Sequence, residues 1–177
     1  MEQVLKEILE ILKYTVPSGI VFATAYFMLR QFFDEQRKVE ILKAKAEARK
    51  DVLPTRLQAY ERLILLLERI EPANLVLRIH VPAMSAKVFH RELLKTVKGE
   101  FEHNMAQQIY VSNDCWNNII ASKDAVIHLV NLAEKNLKDG ATGLELSNAL
   151  FEIVTKAGVS PTANAMDALK NEARQLL

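Results

Sequence analysis

The sequence predicts an all-α protein: an N-terminal transmembrane helix and charged stalk followed by a four- or five-helix bundle. Three observations lead there. An apolar stretch near the start has no polar face, a charged segment free of Gly and Pro follows it, and the remainder carries apolar rows at helical spacing separated by capping residues. No strand pattern, repeat or low-complexity tract is present.

Residues 1–13 form an amphipathic N-terminal segment, with Val4, Leu5, Ile8, Leu9 and Leu12 on one side. Glu2, Glu7 and Glu10 outnumber Lys6 and Lys13, and Pro17-Ser18-Gly19 interrupts the apolar run, which argues against a cleaved signal peptide. Lying flat on a bilayer and lengthening the span are both open to this segment.

Residues 14–33 are the expected transmembrane helix. Sixteen residues from Tyr14 to Leu29 carry no formal charge, fenced by Lys13 and Arg30. That is short of the about 20 residues a spanning helix needs. The aliphatic stems of Lys13 and Arg30 can reach headgroups, and Phe32 and Phe33 extend the apolar surface. Ile20, Val21, Phe22, Ala23, Ala25, Phe27, Met28 and Leu29 leave no polar side, so this helix belongs in lipid or fully inside protein. Burial of residues 15–33 in a soluble oligomer is the competing expectation.

Residues 34–53 read as a juxtamembrane stalk helix rich in strong helix formers. Val39, Leu42, Ala46 and Leu53 approach a heptad seam, but Arg49 breaks it, so a solvated charged helix is expected over a coiled coil. Residues 30–50 carry seven cations against four anions, and the positive-inside rule puts the C-terminal side in the cytoplasm. Arg30, Arg37, Lys38 and Lys43 are the candidate contacts to lipid headgroups. Beyond residue 52 there are fourteen cations and fourteen anions, a neutrality that argues against nucleic acid as a partner.

Residues 54–177 form the expected cytoplasmic helical bundle, long enough for one core. Pro54 is expected to kink the chain at its start. The run "LILLL" at 63–67 makes the first bundle helix central, Pro72 ends it, and "PANLVLRIHVPAM" reads as an irregular connection. Ser85 caps a second helix reaching about Tyr110, with Phe89, Leu93, Val97, Phe101, Met105 and Ile109 every four residues and Gly99 at a close helix contact. Ser112 caps a third, stopped at Gly140. Thr142 and Glu145 form the capping box of a fourth ending at Gly158. Ser160 and Pro161 begin a fifth, whose thin apolar stripe is Ala165, Ala168, Leu169 and Leu176.

Chemistry is sparsely marked. Glu100 and His103 share the Glu-x-x-His spacing of di-iron helix bundles, but only one such pair exists where two plus further carboxylates are needed. With Phe101 turned to the core, Glu100 lies about 100° and His103 about 160° around the helix. They are therefore weak metal candidates, with Glu61 or Glu68 as the carboxylate that would join them in a ferritin-like enzyme. Asp124 and His128 suggest a surface i, i+4 ion pair. His80 and His90 are isolated in sequence. Cys115, the single cysteine, excludes an intrachain disulfide and reads as a small helical residue beside Trp116. Phosphate loops, paired-Cys motifs and nucleophile elbows are missing, so no catalytic residue and no cofactor are expected.

At "LPTRLQAYERLILLLERI" and "EFEHNMAQQIYVSNDCWNNI" the chain resembles an uncharacterised family of bacterial single-span membrane-anchored proteins with a helical domain of unknown function. The likeness extends over nearly the whole chain, including "ILKYTVPSGIVFATAYFMLRQFF". It implies a bacterial inner membrane and one span, and designates no functional residues. The expected function is a non-catalytic scaffold, adaptor or accessory subunit of a membrane complex. Its expected partners are membrane lipid, a protein, and a second copy through span or stalk.

Overall fold

The computed structural model describes residues 1–176, with side-chain surroundings for all of these except 2, 4–6, 8–11, 14, 45, 46, 48, 49 and 51. Among the described residues the chain is all-α with no strand. In order come α1 (Glu2–Ile70), α2 (Pro72–Ile79), α3 (Ala86–Asn104), a 3-10 helix (Met105–Tyr110), α4 (Asn113–Lys135), α5 (Gly143–Ala157) and α6 (Ala163–Arg174). The chain divides into two compact units, Met1–Asp51 and Val52–Leu177.

The first unit is helical, and its apolar side chains are uncovered. Ile20, Val21, Phe22, Phe27 and Met28 are each more than 60% exposed, and Tyr26, Leu29, Phe32 and Phe33 more than half. Two hydroxyls within this stretch turn back on their own helix: Ser18 donates to the Thr15 carbonyl at 2.9 Å, and Thr24 to the Ile20 carbonyl at 2.8 Å. The segment expected to span, 14–33, is helical. Yet among the described residues no helix is long and apolar enough to cross a membrane. Pro17-Ser18-Gly19 dilute its apolar character at one end and Arg30-Gln31 at the other. Val39 and Leu42 of the expected seam are exposed. Ala46 of that seam, and Val4, Leu5, Ile8 and Leu9 of the amphipathic segment, lie outside the described side chains.

Helix α1 keeps its helical assignment through Pro17 and Pro54, so the kink expected at Pro54 does not end the helix. A proline removes one donor and crowds one carbonyl, a cost that the rest of the helix carries.

In the second unit the apolar half of α1 lies at the centre. Tyr60, Leu63, Leu66, Leu67 and Ile70 are buried, while Leu65 within "LILLL" faces outward at 58% exposure. The segment after Pro72, expected to be irregular, forms α2. Proline is suited to the first helical turn, and Leu75 and Val76 become buried by coiling there. The four-residue apolar row of α3 behaves as its geometry requires. Each step drifts about 40°, so Phe89, Leu93 and Val97 are fully buried, Phe101 is partly covered, and Met105 and Ile109 are exposed. Beyond Asn104 the helix tightens to 3-10 geometry.

Helix α4 packs on α3, α5 and α6, and α2 rests on α3 and α5. Trp116 stacks on Phe101 with ring centroids 5.4 Å apart, and Lys123 Nζ sits 4.7 Å above the Phe101 ring. Ser112 caps α4 by accepting from the Cys115 N–H, and the Thr142–Glu145 capping box forms in full. Gly158 ends α5 at φ 71°, a left-handed conformation suited to glycine. The fifth bundle helix starts later than expected: its N-cap is Thr162, whose hydroxyl makes no cap bond because it is engaged elsewhere.

Gly99 was expected at a close helix contact. Instead, nothing lies within 4 Å of where its Cβ would stand. Replacing Gly99 by Ala should therefore stabilise the bundle by about 0.5–1 kcal/mol through lower unfolded-state entropy and higher helix propensity. Urea unfolding of the two proteins checks this, and a destabilised Ala variant would contradict the open space.

Candidate functional site

The densest polar constellation joins three parts of the chain that sequence spacing does not relate. Tyr60 is presented by the buried half of α1, Ser112 by the α4 N-cap, and Glu172 by the last turns of α6. The Tyr60 hydroxyl donates to Glu172 Oε1 at 2.6 Å. Ser112 donates its hydroxyl to Oε2 at 2.5 Å and its backbone N–H to Oε1 at 2.9 Å. Arg56 closes the cluster, donating from Nη2 to the Tyr60 oxygen at 3.4 Å and from Nε to the Tyr110 carbonyl at 3.3 Å.

Electrostatics follow from this geometry. Burial alone would raise the Glu172 carboxyl, but the Cys115 thiol, the Ser112 hydroxyl and N–H and the Tyr60 hydroxyl all favour its ionised form and hold it at about 2. The same burial, with the anion of Glu172 beside it, pushes the Tyr60 hydroxyl up to about 12. Cys115 is likewise driven up to about 12, first by burial and then by Glu172. A thiol so raised and so covered is no nucleophile at neutral pH. The cluster can hold charge and pin helices together, and it offers no reactive group to a substrate.

A second carboxylate performs the matching task at the other end of α6. Glu71, at the α1–α2 junction, accepts from the Ser160 hydroxyl at 2.5 Å and the Thr162 hydroxyl at 2.6 Å. Tyr60 and Glu71 are eleven positions apart and Thr162 and Glu172 ten, so at helical rise the two spans measure about 16.5 and 15 Å. Thr162 pairs with Glu71 and Glu172 with Tyr60, so the end of the bundle chain runs antiparallel to α1 and is clamped at both ends.

The pair singled out from sequence lies elsewhere. Glu100 is half-buried on α3 and ion-paired with Arg69 at 3.2 Å and Arg78 at 3.1 Å. His103 is exposed and shares with Glu100, Arg69, Thr96 and Gly99 an open surface groove. Two guanidiniums thus occupy the carboxylate that a metal would need. Among the described residues no group of three or more His, Cys, Asp or Glu is placed to hold a metal ion. Asp124 pairs with Lys123 at 3.0 Å where a partner in His128 was expected. His80 meets the Phe89 ring edge-on at 5.4 Å, and His90 Nε2 lies 2.8 Å from Asn131 Oδ1.

Sequence reasoning read Ser112 as a cap and Ser160 as an N-cap, and assigned no role to Arg56, Tyr60, Glu71 or Glu172. An acid near the end of a thin-striped helix was the available signal. Nothing local indicates which hydroxyls it meets.

A family model described as a family of unknown function (DUF7935) matches residues 6–176. No curated protein and no solved structure matches the chain.

Because the Glu172 carboxyl is held below its ordinary 4.5, its contribution to stability is present above that pH and is lost as pH falls toward about 2. Glu172→Gln should destabilise the bundle by about 1–3 kcal/mol at neutral pH, leaving the Tyr60 and Ser112 donors poorly matched. Stability measured from pH 7 to pH 2 should fall less steeply in that variant than in the parent, and parallel curves would contradict the clamp. Tyr60→Phe should cost about 1–2 kcal/mol. It should also remove the loss of stability expected above pH 10 as the phenol titrates toward about 12.

Proposed function

The chain belongs to a family of unknown function, DUF7935, and from that premise we propose that it is a non-catalytic membrane-anchored scaffold, adaptor or accessory subunit. In this reading residues 14–33 form a single-pass anchor in a bacterial inner membrane, and the helical bundle is presented to the cytoplasm to hold a protein partner.

One observation carries the reading: the uncovered apolar sheath from Val16 to Phe33, in which Ile20, Val21, Phe22, Phe27 and Met28 all stand in the open. Their helical positions surround the axis, so no single contact with another helix would cover them. The internal return of the Ser18 and Thr24 hydroxyls supports the same reading, since hydrocarbon offers no partner to a polar group. The stretch is less apolar than an ordinary spanning helix, and the bracketing cations at Lys13 and Arg30, with stems that reach toward headgroups, make up the length. Arg30, Arg37, Lys38 and Lys43 then meet anionic headgroups, and the excess of cations after the anchor orients the bundle inward.

In cells expressing the full chain, the protein should remain with the membrane pellet after alkaline carbonate washing. Phe22→Arg, which costs about 2.5–3.5 kcal/mol at the centre of a membrane helix, should shift it to the supernatant while leaving bundle unfolding unchanged. Release of the unmodified chain by carbonate would overturn the proposal in favour of burial within an oligomer.

A further inference from the structure

We propose that α6 is a strap that opens as one unit while the rest of the bundle stays folded, uncovering the cleft between α1 and α4 and, with it, the Cys115 thiol. The device lies wholly within the second unit and does not depend on the anchor. Its basis is the way α6 is attached. Among the described residues, every hydrogen bond between residues 160–176 and the rest of the chain ends on one of two carboxylates. Tyr60 and Ser112 donate to Glu172, and Ser160 and Thr162 donate to Glu71. No ion pair among the described residues joins this stretch to the bundle.

Apolar attachment is equally slight. Helix α6 contributes Ala165 and Leu169 as its fully buried apolar side chains, where α3 contributes Phe89, Leu93 and Val97 and α4 contributes Ile119, Val126 and Val130. An element with few buried apolar contacts opens at a lower free energy than the core it covers. Residues 155–159, which lead from α5 into α6, are all exposed, so the motion disturbs no packed side chain at the joint.

The two carboxylates make the opening concerted. Thr162 and Glu172 stand at opposite ends of α6, about 15 Å apart along it. Losing one latch leaves the helix held by the other and by two apolar side chains, so loosening at one end is felt at the other. Cys115 reports this. It is the single cysteine, it is 4% exposed, and its thiol meets the Glu172 carboxylate, so a reagent reaches it only after that end of α6 lifts.

The full chain in mild detergent is treated with a maleimide at increasing urea, and amide hydrogen exchange is followed by mass spectrometry on the same samples. Labelling of Cys115 and exchange of the α6 amides should share one shallow urea dependence, while the α3 amides from Phe89 to Val97 follow the steep dependence of global unfolding. Glu71→Gln, at the end of α6 remote from the thiol, should speed both Cys115 labelling and α6 exchange about tenfold. Labelling of Cys115 with the urea dependence of the α3 amides overturns the proposal, because the thiol is then reached only when the whole bundle unfolds. Unchanged labelling in folded Glu71→Gln overturns it too, because the ends of α6 then loosen separately. The urea comparison needs no variant, so it decides the matter even where Glu71→Gln fails to fold.

Discussion

Burial of one side of α1 between Tyr60 and Ile70 is the constraint on which the bundle depends. Leu63, Leu66, Leu67 and Ile70 lose essentially all contact with water, and each such side chain contributes about 1.5–3 kcal/mol. Helices α3 to α6 supply the walls that make this possible, through Phe89, Leu93, Ile119, Leu146, Leu150 and Leu169. Helix α6 is the thinnest wall, with Ala165 and Leu169 as its fully buried residues. The carboxylates Glu71 and Glu172 act where its hydrophobic contribution is smallest, and their hydroxyl partners satisfy them without a buried cation.

The physical logic reverses in the first unit. There the helix carries large exposed apolar side chains, and the Ser18 and Thr24 hydroxyls return to its own carbonyls. One chain therefore contains a helix segment buried in a core and another whose apolar side chains are left exposed. The most polar cluster locks helices together, and the Glu-x-x-His pair is committed to arginines on one side and solvent on the other.

What was legible in the sequence was the local part of the fold. Capping chemistry placed Ser85, Ser112, Thr142 with Glu145, and Gly158, because a cap is decided within a few residues. The row from Phe89 to Ile109 foretold its own drift away from the core. The prolines were read in part: Pro72 ends α1 as expected but also opens α2 where an irregular connection was expected, and the helical assignment runs on through Pro54. Gly99 stands in open space, although its place beside an apolar row suggests a close contact. Glu172, Tyr60 and Glu71 were invisible because hydrogen bonds spanning 89 to 112 positions leave no spacing to read.

The most direct measurement of the central claim is a nitroxide scan, with spin labels placed singly at Ile20, Val21, Phe22, Phe27 and Met28 of the full chain in vesicles. If hydrocarbon surrounds this helix, collisions with oxygen will exceed those with a water-soluble nickel chelate at every position. If protein covers it, accessibility will rise and fall with the 3.6-residue period, and the proposed anchor will be contradicted.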